Sequence, residues 1–156
     1  MVTEQAQRQT STALRFASAL SRKSDTEAAV RDLADAVRAQ LGQRTFDLAF
    51  VFFSVHHAEK AQLIATMLRE ELSVEVCLGC SGEGIIAGAE EVETAAALTL
   101  WVASLPQVQV TPLRLEFSQT QDQIQMAGWS GPCGEASTFI LLADPFTTPV
   151  HDVLAV

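Results

Sequence analysis

The sequence predicts an α/β protein: a mixed sheet with a β-α-β-α-β start followed by an antiparallel hairpin, with helices on at least one face. Three observations carry this. Residues 47–54 (DLAFVFFS) are apolar almost without break, the composition of a strand covered on both sides. Apolar residues recur at helical spacing before and after that run, at Val30, Leu33, Ala34, Val37 and Leu41 and again at Leu63, Ile64, Met67, Leu68 and Leu72. Later, residues 95–103 and 108–117 are strand-like segments joined by Ser104-Leu105-Pro106-Gln107, the form of a hairpin.

Taken in order, residues 1–12 are polar and aperiodic and are expected to form a flexible arm, with residues 13–156 as a single domain. Residues 13–20 suit a strand. Ser24-Asp25-Thr26-Glu27 has the pattern of a capping box, in which hydroxyl and carboxylate satisfy the free N–H groups of a helix start. Gly42 supplies the stop of that first helix, and the second is expected to begin near His57 or Ala58. Residues 74–78 read as a short strand running into a glycine-rich turn, and residues 85–87 as its continuation. Glu90, Glu91 and Glu93 suggest a solvated acidic turn. Within 108–117 the alternation slips near Pro112, which lacks a ladder donor and favours an edge or a bulge. Residues 118–136 read as a connector, 138–143 as a last buried strand, and Asp144-Pro145-Phe146 as the turn leaving it. Residues 150–154 resemble the first turn of another helix. So short a helix buries too little by itself, which suggests a chain incomplete at its C-terminus; a frayed tail is the alternative.

Composition narrows the functional classes. The 156 residues carry ten Lys+Arg against 19 Asp+Glu, a formal charge of −9, which repels phosphate backbones and anionic lipid. Neither nucleic acid nor a membrane is an expected partner. No apolar run approaches the ~18 residues that span a bilayer, and residues 1–8 lack the form of a secretory signal. Three cysteines make no paired disulfide framework, so a reducing, cytoplasmic setting is expected.

Four places invite chemistry. Gly79-Cys80-Ser81-Gly82-Glu83-Gly84 follows a strand, and its glycines permit positive φ and close backbone approach to a ligand. The spacing is neither a Walker A loop nor a dinucleotide fingerprint, and Glu83 stands where a nucleophile elbow needs glycine. A structural turn is the competing explanation. Cys77-Leu78-Gly79-Cys80 has C-x-x-C spacing, but on a strand its ends face opposite ways about 10 Å apart. Two small buried hydrophobes are therefore favoured over a redox or metal pair. Ser54, His56 and His57 lie between a buried strand and a helix, where open α/β sheets place ligands, though Ser54 also suits a helix cap. Asp144 leaves the last predicted strand, as ligand group or as an ordinary Asx-Pro turn. Trp101 and Trp129 are read as packing groups.

Together, Phe52-Phe53-Ser54, Gly79-Cys80-Ser81-Gly82-Glu83-Gly84-Ile85 and Leu141-Leu142-Ala143-Asp144-Pro145-Phe146 resemble the N-terminal part of a FIST domain, a prokaryotic sensory domain also found in eukaryotic F-box proteins. The resemblance covers roughly residues 13 to 156. It implies a sensory role in signal transduction through a small ligand, an amino acid or related metabolite, and brings no catalytic residues; neither a metal nor a cofactor is expected. The expected ligand groups are Ser54, Gly79, Cys80, Ser81, Gly82, Glu83, Gly84 and Asp144. It also implies that a further strand, a glycine pair and a C-terminal partner domain or signalling module belong beyond Val156. Two readings compete with it: a hydrolase or transferase using Ser81 or Cys80 with His56 or His57, and a structural module for protein interaction.

Overall fold

The computed structural model describes residues 13–119, 124–129, 138–144 and 146–151. The predicted N-terminal arm, Pro145 and most of the last predicted helix lie outside them. The chain divides into two compact units, one up to Val110 and one from Thr111 onward.

The first unit is built on a four-stranded sheet. Its strands are β1 (Arg15–Ser21), β2 (Phe46–Ser54), β3 (Val74–Gly82) and β6 (Leu98–Ser104), in the order β1-β6-β2-β3. Helix α1 (Thr26–Leu41) joins β1 to β2; a 3-10 turn (Val55–Lys60) and α2 (Ala61–Leu72) join β2 to β3. β2 and β3 pair in parallel, while β6 runs antiparallel to both β1 and β2. A β-α-β-α-β start thus acquires one inverted strand, wedged between its first two. The sheet is mixed, as predicted.

Alternation assigns the faces. Ala49, Val51 and Phe53 of β2 and Leu98, Leu100 and Val102 of β6 join one core with Val30, Leu33 and Val37 of α1 and Ile64, Met67 and Leu68 of α2. Fully burying each large aliphatic side chain there contributes about 1.5–3 kcal/mol before conformational entropy is subtracted. The opposite face carries Phe50 and Trp101, whose rings lie 5.6 Å apart, with Phe16 stacked on Trp101 at 5.5 Å. A small hairpin, β4 (Gly84–Ala87) with β5 (Glu90–Glu93), packs Ile85 and Val92 against Leu20, Phe52 and Ala97.

Several local expectations shift. The cap of α1 is Asp25, whose carboxylate accepts the Ala28 N–H at 2.8 Å, while Glu27 turns to Arg31 instead of closing a reciprocal box. Gly42 ends the helix at φ +73°. β3 does not stop at Leu78 but runs to Gly82, because the parallel ladder with β2 continues to Ser54↔Gly82. The glycine-rich stretch is therefore strand, with its bend at Glu83. The acidic residues 90–93 are strand β5 rather than loop.

Antiparallel hairpins do follow the β-α-β-α-β start, but other segments build them. Residues 108–115 are irregular: both edges of β6 are already taken by β1 and β2, so no ladder remains there. In the second unit β7 (Glu116–Gln119) pairs instead with β8 (Ile124–Ala127). Residues 138–143 are not a buried strand. They are irregular, and Phe139, Ile140, Leu141 and Leu142 are exposed. Strand propensity expresses fit to a neighbouring ladder, and among the described residues of this unit β7 and β8 pair only with each other.

Candidate functional site

Parallel pairing brings the ends of β2 and β3 together. Phe53 stands opposite Ser81 and Ser54 opposite Gly82, with Glu83 at the bend immediately beyond. This is the carboxyl end of the only parallel pair among the described strands, the position at which open α/β sheets collect ligand groups. Cys80, Ser81 and Glu83 are exposed there, and Gly82 is half-buried.

Ser54 is not presented in the same way. It is 3% exposed and belongs to the wall. Its N–H donates to the Ala97 carbonyl at 2.9 Å and its hydroxyl oxygen accepts the Ala97 N–H at 3.0 Å. The hydroxyl also lies 3.2 Å from Nδ1 of the exposed His56. It makes no cap bond to the 3-10 turn that follows, so its anticipated helix-cap role is replaced by tying β2 to the chain entering β6. The sequence offered no sign of this contact, which spans 43 residues.

The glycines have distinct duties. A Cβ at Gly79 would collide with the carbonyl oxygen of Val51 in β2. Its missing side chain lets two strands approach, which is a demand of the sheet. At Gly82 and Gly84 a Cβ would meet only ordinary contacts, at 3.4 Å from the Gly84 carbonyl and 3.6 Å from Glu91. None of the three adopts positive φ. The exposed anion-binding turn anticipated from their spacing is replaced by extended backbone. Because β3 is an edge strand among the described residues, alternate N–H and C=O groups along it point away from β2.

Cys77 and Cys80 are both free thiols, Cys77 half-buried and Cys80 exposed. Burial pushes the Cys77 thiol above its usual pKa, which keeps it protonated and unreactive at neutral pH. No group of three or more His, Cys, Asp or Glu side chains able to hold a metal occurs among the described residues.

His57 departs most from its anticipated place. It is 0% exposed, turned inward, with Nδ1 2.9 Å from the hydroxyl of Thr26 in the first turn of α1. Nε2 has no hydrogen-bond partner. Desolvation first, then the neighbouring His56 and Lys60, hold its pKa below the usual 6.5, against opposing contributions from Asp25 and the Lys23 backbone. Buried in this way, it is not offered as a base to Ser81 or Cys80.

Asp144 sits in the second unit and spends its acceptors locally. Oδ1 takes the Phe146 N–H and Oδ2 the Thr147 hydroxyl, each at 2.9 Å, and the Asp144 carbonyl takes the Thr148 N–H, also at 2.9 Å. Those bonds hold its carboxyl below the ordinary carboxylate pKa. It forms a turn of the kind an Asx-Pro step favours. No described helix is long and apolar enough to cross a membrane.

Comparison with known proteins agrees with the motifs. The chain is 26% identical over 136 residues to an uncharacterized protein of Mycobacterium tuberculosis, covering 87% of this chain and 35% of that protein. It is 25% identical over 125 residues to an uncharacterized protein of Mycobacterium bovis, covering 80% of this chain and 32% of the relative. The chain thus spans about a third of the length of the curated relatives it matches. No solved structure matches significantly. The model of the FIST N domain matches residues 47–156, from β2 through the glycine-bearing strand to the Asp144 turn. With more than half of its length so matched, the chain belongs to the FIST N domain family, a domain class associated with signal transduction.

Proposed function

We propose that this domain is a cytoplasmic sensory module that binds a small ligand, an amino acid or related metabolite, at the joined ends of β2 and β3. It passes the event on through contacts with a further segment of a longer protein or with a signalling module, not through catalysis of its own. The observation that supports this most is the shared strand end, where exposed Ser81, Glu83 and outward-turned backbone groups of β3 lie at the end of the ladder closed by Ser54, whose hydroxyl contacts His56. Serine and main-chain N–H groups suit a carboxylate, and Glu83 suits an ammonium. Asp144, whose acceptors serve its own turn, is not among the groups this reading uses.

The test is a thermal-shift and calorimetric screen of free amino acids and related metabolites on the 156-residue chain. A ligand at 100 times Kd stabilises by about 2.7 kcal/mol, well within detection. Ser81→Ala with Glu83→Gln is expected to abolish the shift while leaving the unliganded transition in place. A screen with no stabilising compound overturns the reading, and saturable iodoacetamide labelling of Cys80 with turnover of an ester substrate replaces it with an enzyme.

A further inference from the structure

The 3-10 turn Val55–Lys60 forms one border of the joined strand ends, and a single buried side chain anchors it. His57 is sealed from solvent, and Thr26, its partner at 2.9 Å, is itself 1% exposed. The bond crosses from the turn after β2 to the first turn of α1, two elements otherwise brought together through the sheet. One ring nitrogen is satisfied and the other is not. We propose that the His57–Thr26 bond is an acid-sensitive latch: protonation of the imidazole expels it from its site and releases the 3-10 turn, loosening the border of the candidate ligand site. The link to ligand binding rests on the site proposed above; the latch itself does not.

The chemistry follows from counting donors. A neutral imidazole offers one N–H and one lone pair, and the Thr26 hydroxyl can complement either at Nδ1. Imidazolium has two N–H donors and a charge. Nδ1–H can still use the threonine oxygen and the Lys23 backbone favours the charged ring, but the charge loses its water and Nε2 has no partner in hydrogen-bond geometry. The charged neighbours make matters worse. On its own turn His57 has His56 and Lys60, both cationic when protonated; from the β1–α1 side it has Asp25 and the backbone of Lys23. Asp25 is the one acid among them, and its carboxylate already holds the Ala28 N–H as the cap of α1. Accepting a proton inside therefore costs more than accepting it outside.

The sign is fixed. A base whose pKa is depressed in the closed state binds fewer protons closed than open. The latch is at full strength above the unperturbed value of about 6.5 and weakens as pH falls from there towards the lower value of the closed state. One proton is involved, so the opening constant rises by at most about tenfold per pH unit.

Hydrogen exchange followed by mass spectrometry on the 156-residue chain, between pH 7.5 and 5.5, reads this directly after correction for intrinsic exchange. Amides of residues 55–60 are expected to lose protection as pH falls, while those of Leu33–Val37 and of β6 keep theirs. Thr26→Val is expected to loosen the turn at neutral pH and move the loss to higher pH. His57→Leu, which cannot titrate, is expected to abolish the pH dependence, and His57→Asn serves if the leucine variant does not fold. Equal loss of protection in α1 and β6 identifies general acid unfolding and overturns the proposal. So does an unchanged pH response in either His57 variant, or an imidazole whose NMR signals show protonation while residues 55–60 stay protected. A latch that opens without altering binding of any ligand found in the screen retains the device and rejects the site.

Discussion

At the scale of single residues, Gly79 shows how one feature supports two readings that only geometry separates. Three glycines in six positions mark a place where side chains are unwelcome, and that much is visible in the sequence. Whether the excluded atoms make way for a ligand or for another strand is not. The Val51 carbonyl answers it for Gly79, since a methyl group there meets backbone that cannot rotate aside. Gly79→Ala is therefore expected to push β3 from β2 and destabilise the chain by about 1–3 kcal/mol, within the usual range for forced overpacking. Gly82→Ala, facing ordinary contacts, is expected to stay within about 0.5 kcal/mol of the parent. Urea midpoints of the two variants decide the matter; equal midpoints would return Gly79 to the ligand site. Ser54 and His57 teach the same lesson from the other side. Both stand out in the sequence as polar groups after a buried strand, but their partners, Ala97 and Thr26, lie 43 and 31 residues away and carry no local pattern.

At the scale of elements, periodicity gave away the helices and left strand pairing open. α1 and α2 bury the same stripes their spacing displays, because a helix satisfies its own backbone and needs only an apolar seat. A strand needs a neighbour with a free edge. Residues 108–115 lost theirs when β6 was enclosed by β1 and β2, which no pattern within residues 108–117 could announce. Charges linking helices are equally hidden. Arg38 near the end of α1 donates through Nη2 to the Glu71 carbonyl at 2.6 Å and its carboxylate at 2.8 Å, and through Nη1 to Asp35 at 3.2 Å. The fork also gives the last turn of α1 a cation where the helix dipole favours one. Arg38→Lys keeps the charge and loses the planar geometry, so it is expected to cost about 1 kcal/mol, and Arg38→Ala more. Because two of the three bonds require shape as well as charge, 0.5 M salt should leave most of that difference intact in chemical denaturation. A difference that disappears with salt would reduce the link to an exposed ion pair.

At the scale of the whole molecule, the order β1-β6-β2-β3 makes the first unit depend on a late strand. Among the described residues β1 pairs only with β6, so residues 15–21 lack a ladder until residues 98–104 arrive between β1 and β2. Closing that loop is costly in entropy, and nothing earlier in the chain substitutes for it. The main core, however, is finished there: every buried residue in it falls between Ala17 and Val102. A chain ending at Val110 is therefore expected to fold as one cooperative unit, with near-native helical circular dichroism and a single urea transition. A chain ending at Ala95 keeps both helices and three of the four strands, but it lacks Leu98, Leu100 and Val102 and leaves β1 without a ladder. It should show no cooperative transition. If the shorter chain unfolds as sharply as the longer one, β6 is an accessory strand and the β2–β3 pair with its two helices is the true folding core. If the chain ending at Val110 fails as well, the core assembled between Ala17 and Val102 does not hold the sheet by itself.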